Sequence, residues 1–174
     1  SDVYKRQFRS IFREIAESYP KIGAKEAYID AFTMWLVRDP EDLDVVVLPN
    51  MFGDIATDLA SVLQGGMGMA ASANLGDKHM MFEPVHGSSP KHAGKNRVNP
   101  IAMLSSLQLM LENLSLRHDD PLLDKYGNIL QQAISQHLSS DGPKTYDIGG
   151  TGTTSEVGDA IADRVRRLLR NDKA

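Results

Sequence analysis

The chain has 174 residues, of which 41% are hydrophobic and 24% charged, enough apolar side chain for a substantial core and too ordinary a balance for a disordered or fibrous polymer. Its net charge of −4 includes no basic run or basic–aromatic interleaving, which argues against nucleic acid as a partner. There is no cysteine, so disulfide and thiolate chemistry are excluded, and no apolar run approaches the roughly 18 residues of a membrane span. The expectation is a soluble, cytoplasmic α/β protein.

The N-terminus has neither an initiator methionine nor a signal-peptide pattern and reads as truncated. Residues 2–7, DVYKRQ, resemble one translated frame of the transposase-end adapter used in sequencing libraries. They are therefore read as non-native, and Lys5 and Arg6 receive no role; a natural charged helix start is the alternative.

Phe8, Ile11, Phe12 and Ile15 recur at helical spacing until Pro20, predicting a helix over residues 7–18. A short strand is expected at 27–29 and an apolar helix at 31–37, stopped by Asp39-Pro40. The β-branched run 43–48 has the character of a strand buried on both faces. A helix over 54–63 presents Ile55, Leu59, Val62 and Leu63, and Gly65, Gly66 and Gly68 break it. Residues 67–76, rich in small side chains, read as a loop or hinge, with a domain boundary near Gly65. A strand at 82–86 leads into a polar loop, 87–98. Asn99-Pro100 and Asp120-Pro121 then start helices reaching about Leu114 and Leu138, and a last helix spans 157–169 after the glycine-rich stretch 149–152.

Asp54 and Asp58 are four apart on one helix, so their carboxylates share a face about one turn apart. Such a pair can hold a hard cation such as Mg²⁺ or Mn²⁺, or it can be an acidic helix start favoured by the macrodipole. Asp30, where a strand meets a helix, is a ligand candidate or an N-cap. Gly66, Gly68 and Ala71 match G-x-G-x-x-A, but a helix precedes and no helix follows, so close packing is preferred to a dinucleotide fingerprint. In the loop from His86 to Asn99, Gly87, Ser88 and Ser89 offer amides and hydroxyls, and Lys91, His92, Lys95 and Arg97 offer positive charge. That combination suits a phosphate, or is a solvated basic loop. Trp35 and the methionines are expected in the core, and His79, His118 and His137 at the surface.

The strings YIDAFTMWLVRDPEDLDVVV, NMFGDIATDLAS, GGMGMAASANLGD, FEPVHGSSPKHAGKNRVNP and YDIGGTGTTSEVGDAI, in this order from about Phe8 to the end, resemble the β-decarboxylating dehydrogenases, the isocitrate/isopropylmalate/tartrate dehydrogenase family. The resemblance implies that family's α/β fold, truncated at the N-terminus. Residues 1–65 would be part of the smaller, dimerising and metal-binding domain, and 66–174 part of the larger cofactor-binding domain. It implies Asp30, Asp54 and Asp58 as metal ligands, Asp30 reaching the site of a partner subunit in a homodimer with shared active sites.

It also implies His86, Gly87, Ser88, Ser89, Lys91, His92, Val98, Asn99, Tyr146 and Asp147 as the cofactor-binding set. Lys91, Val98 and Tyr146 resemble the NADP-linked branch. Asp147-Ile148-Gly149-Gly150 resembles the NAD-linked branch, since the NADP enzymes carry arginine where Gly150 falls; the balance tips narrowly toward NADP. The implied activity is metal-dependent oxidation and decarboxylation of a 2-hydroxy acid such as 3-isopropylmalate, isocitrate or tartrate; a noncatalytic regulatory subunit on the same fold is the alternative. The family's catalytic lysine and tyrosine have no counterpart in this sequence, so no catalytic residue is assigned and the fragment alone is expected to be inactive.

Overall fold

The computed structural model describes residues 2–172; the outermost residues of the two expected domain spans lie outside them. The chain forms two compact units, Ser1–Leu48 and Pro49–Ala174.

In the first unit, helix α1 (Asp2–Glu17) runs through the DVYKRQ segment without a break. Its Arg9 and Arg13 both bond Glu26, the Arg9 Nη2 to carboxylate distance being 2.6 Å, and this ties the segment after the helix back along it. Residues 24–28 form no strand; Tyr28 is extended and leads into α2 (Ile29–Arg38), which begins two residues earlier than its apolar run. A 3₁₀ turn, Pro40–Asp42, follows. The expected buried strand at 43–48 is also absent as a ladder: the segment is irregular, and Val45 is 89% exposed. β-Branched residues express a preference for a pleated, packed surface, but a strand exists only where a neighbour takes its N–H and C=O groups. Phe32 and Leu36 are the buried apolar residues of α2, whereas Trp35 and Met34, expected in the core, are exposed.

The second unit opens with α3 (Asn50–Leu63). Gly65 and Gly66 then adopt φ of 101° and 102°, a left-handed geometry that makes the sharp exit from the helix. The small-residue stretch is not wholly a loop. Ala71–Leu75 forms β1, antiparallel to β2 (Met80–Pro84), with Ala73 opposite Phe82. Small side chains suit this position because the hairpin lies on α4 (Ile101–His118). Arg117, in the last turn of α4, donates to the Gly76 carbonyl at 2.8 Å and the Lys78 carbonyl at 3.2 Å, holding the hairpin turn.

Helix α4 packs on α5 (Pro121–Leu138), and α5 on α6 (Thr154–Asn171). Ile101, Leu130, Ala133, Ile134, Val157 and Ile161 form the core where they meet; each large aliphatic side chain buried there contributes roughly 1.5–3 kcal/mol. The Asp120 carboxylate caps α5 by accepting from Leu122 N at 2.9 Å. Helix α4 starts one residue later than expected, with Pro100 as its N-cap, and the Asn99 side chain just before it accepts from Ile101 N at 3.0 Å. His137 departs from expectation: it is fully buried. No helix among the described residues is long and apolar enough to cross a membrane.

Candidate metal and cofactor site

Asp54 and Asp58 are both exposed on α3, and the helix starts four residues earlier than its apolar face suggests, so neither acid sits in its first turn. The macrodipole acts mainly within that turn, which removes the main structural reason for acids at these positions. The Asn50 amide donates to Asp54 Oδ2 at 3.0 Å, orienting that carboxylate. Asp30 lies in the first turn of α2, exposed, with its Oδ1 accepting from Ala31 N at 2.8 Å. It is inside the helix, so it is not the N-cap. None of the three takes part in an ion pair among the described residues. All-carboxylate donors that carry no cation of their own fit a hard divalent ion, which prefers oxygen ligands and fills its remaining positions with water or substrate. Among the described residues no three His, Asp or Glu side chains converge as a metal-holding group.

The basic loop is exposed but anchored. His86, Gly87, Ser88 and Ser89 are at the surface, and no backbone hydrogen bond engages the amides of Gly87, Ser88 or Ser89 among the described residues. The His86 ring Nδ1 donates to the Gly87 carbonyl at 2.9 Å. Ser89 takes a left-handed φ of 46° and turns the chain into the 3₁₀ segment Pro90–His92, which carries Lys91 and His92. Beyond it, Asn96, at φ 47°, accepts on its side-chain oxygen from Ser155 N at 3.1 Å and Ser155 Oγ at 3.0 Å. The Asn96 carbonyl accepts from Thr154 N at 3.0 Å, and the Val98 carbonyl from Thr154 Oγ1 at 2.6 Å.

These contacts decide where a phosphate can bind. An uncapped helix N-terminus is an anion site. The first amides of α6 are already taken, by Asn96 and by the capping box in which Thr153 Oγ1 accepts from Glu156 N at 3.3 Å. The amides of residues 87–89, by contrast, make no backbone hydrogen bond among the described residues.

Asn99 is 7% exposed, and its side chain is spent inside the protein: Oδ1 accepts from Ile101 N, and Nδ2 donates to Asp147 Oδ2 at 3.0 Å with Met69 Sδ at 3.4 Å. Its own contribution is to brace the loop against the 3₁₀ turn Tyr146–Ile148. Gly68 is required beneath this brace, because a Cβ there would come to 2.6 Å from Asp147 Oδ2 and 3.1 Å from Asn99 Cβ. That is the close packing expected, at Gly68; a Cβ at Gly66 would meet nothing within 4 Å, and that glycine serves its positive φ instead. At Gly150 a Cβ would run into the Lys144 carbonyl, so the turn as built admits no side chain at that position.

His92, Arg97, Val98, Asn99, Tyr146 and Asp147 are thus gathered in one region. The Tyr146 ring lies 5.9 Å from that of His92, and the Arg97 guanidinium carbon 4.2 Å from the Tyr146 centroid. No hydrogen bond or ion pair links the α3 carboxylates to this region among the described residues. Sequence reasoning missed Asn96, Thr154 and Ser155 as the clamp on the loop. The T-x-x-E pattern of Thr153 and Glu156 signalled the cap, but nothing local signalled its partner 59 residues away.

Residues 2–161 match the family model described as isocitrate/isopropylmalate dehydrogenase. The 3-isopropylmalate/3-methylmalate dehydrogenase of Methanocaldococcus jannaschii is 43% identical over 159 residues, covering 91% of this chain and 45% of that protein. The probable tartrate dehydrogenase/decarboxylase of Bacillus subtilis is 41% identical over 161 residues, covering 91% and 43%. The crystal structure of isocitrate dehydrogenase from Methylococcus capsulatus superposes with a TM-score of 0.83 at 37% identity, over 91% of this chain and 45% of that one. The chain therefore spans a little under half the length of such relatives. With the match covering nearly all of its length, the chain belongs to the isocitrate/isopropylmalate dehydrogenase family.

Proposed function

We propose that this chain is part of a metal-dependent, NAD(P)-linked enzyme that oxidises and decarboxylates a 2-hydroxy acid such as 3-isopropylmalate, isocitrate or tartrate. The observation that carries the reading is the pair Asp54 and Asp58: exposed, one turn apart, outside the first turn of α3 and without a cationic partner. Asp54 and Asp58 hold the metal from one subunit of a homodimer and Asp30 from its partner. In the intact fold, residues 1–65 belong to the smaller dimerising domain and 66–174 to the larger cofactor domain.

Mg²⁺ or Mn²⁺ at these acids supplies Lewis-acid polarisation of the substrate hydroxyl and carboxylate, and the bound nicotinamide supplies the hydride acceptor. The chain's own residues do the positioning. Asn50 fixes the orientation of the Asp54 carboxylate, so less disorder has to be removed when the ligand sphere closes. The amides of residues 87–89 meet the dinucleotide phosphates, with His86 and Gly87 along the cofactor and Val98 near the adenine. Asn99 and Asp147 keep the loop and the Tyr146–Ile148 turn in register beneath it. NADP is the cofactor favoured, on the cation Lys91 and on Val98 and Tyr146.

The test uses the intact protein that carries this chain, assayed with Mg²⁺ or Mn²⁺ against isocitrate, 3-isopropylmalate and tartrate with each cofactor. Asp54→Asn is expected to abolish metal-dependent turnover and weaken Mn²⁺ binding. Turnover that persists in the variant without metal would exclude the mechanism.

A further inference from the structure

Helix α6 is capped twice. Thr153 caps it from its own sequence, accepting from Glu156 N, and Asn96 caps it from the loop, 59 residues before Ser155. The Asn96 carbonyl accepts from Thr154 N at 3.0 Å, and its side-chain Oδ1 accepts from Ser155 N at 3.1 Å and Ser155 Oγ at 3.0 Å. Thr154 and Ser155 open the helix, so one residue takes two of the amides that a helix start leaves without an intrahelical partner. The backbone that allows this is rare for a residue with a side chain. Asn96 lies at φ 47°, where glycine is at ease, asparagine is tolerated and most other residues are strained. Glycine would give the φ without the acceptor; asparagine gives both.

Asn96 is exposed and lies outside the buried core, so its bonds act on the loop and not on the packing of the helices. Upstream, the amides of Gly87, Ser88 and Ser89 make no backbone hydrogen bond among the described residues. Between them and Asn96 the chain is closed by the 3₁₀ turn Pro90–His92 and by Lys95 N donating to the His92 carbonyl at 3.1 Å. The placement of residues 87–89 is therefore set by where the far end of these turns is held. We propose that Asn96 is a positioning residue for the dinucleotide: its cap on α6 presets the loop, so that the amides of residues 87–89 are already placed for the dinucleotide phosphates. This rests on the reading of residues 86–99 as the cofactor loop. A loop whose competent conformation is only partly populated binds more weakly by that fraction, and a preset loop avoids the loss.

The test compares the intact protein with Asn96→Ala, Asn96→Gly and Asn96→Asp. NADP⁺ and NAD⁺ are titrated calorimetrically for Kd, KM and kcat are measured at steady state, and circular dichroism confirms that each variant folds. Asn96→Ala loses both the acceptor and the tolerance of φ. It is expected to raise Kd and KM for the dinucleotide about tenfold or more, with kcat at saturation and KM for the hydroxy acid changed by no more than about twofold. Asn96→Gly keeps the φ alone and should fall between. Asn96→Asp keeps both and adds a charge favoured at a helix N-terminus, so it should recover most of the affinity. Equal losses in all three variants, or a fall in kcat with the dinucleotide KM unchanged, would overturn the role. Should Asn96→Ala not fold, equal affinities of Asn96→Gly and Asn96→Asp would overturn it as well. If the unsubstituted protein bound neither dinucleotide, the cofactor-loop reading would fall and this proposal with it; binding that Asn96→Ala leaves intact overturns the role of Asn96 alone.

Discussion

His137 sits at the end of α5 with no accessible surface. Burial holds its imidazole below the ordinary value of 6.5; the Pro143 backbone opposes this, and Arg164 from α6 and Lys144 from the following loop lower it further. A proton therefore binds the unfolded chain more readily than the folded one. Stability is full above the ordinary histidine pKa, is lost as pH falls from there toward the lowered folded value, and then levels off. His137→Leu should remove this component. Urea unfolding at about pH 7.5 and about pH 5 is expected to show a larger drop for the unsubstituted chain than for the variant, and equal drops would refute the assignment. The sequence around His137 is polar, which is why it reads as a surface residue. Only the packing of the 139–145 loop and α6 over the end of α5 buries it.

Helix starts were legible because capping is local. Asp120-Pro121 opens α5 as read, and α4 starts one residue beyond its Asn99-Pro100 signal, with Pro100 as the N-cap. α6 begins at Thr154, three residues before its apolar face, because Thr153 and Glu156 form a reciprocal cap. Thr153→Ala should lower stability by about 1 kcal/mol in chemical denaturation, the usual cost of a lost N-cap. The Glu156 carboxyl is held below the usual carboxylate range by the Thr153 backbone N–H and then by its hydroxyl. Its share of the cap is therefore present above the ordinary glutamate pKa and lost as pH falls through the lowered one, so the penalty of Thr153→Ala should shrink in acid. The strands were less legible. Residues 43–48 have the strand composition but no ladder, and 71–75, with small side chains and weak strand character, have one. Pairing depends on a neighbour that composition does not name.

Across the whole molecule, stability should be uneven. The α4–α5–α6 core is where the buried aliphatic residues concentrate, whereas α1 and residues 44–47 expose their side chains. Hydrogen–deuterium exchange of the chain is expected to be slowest in α4, α5 and α6 and faster by orders of magnitude at 44–47, whose amides have no ladder to break. Strong protection at 44–47 would show that this segment is paired in solution.

The sequence by itself determined the helices, their caps, the spacing of Asp54 and Asp58 and the family motifs, because each is written within a few residues as periodicity, capping chemistry or an ordered string. The tertiary structure decided what depends on distant pairs. The Asn99–Asp147 bond spans 48 residues and the Asn96–Ser155 clamp 59. The Arg97–Tyr146 stack, the closed N-terminus of α6 and the burial of His137 are of the same kind. Such contacts form only when the packing of α4, α5 and α6 brings remote loops to one place, and no local pattern encodes which loops those are.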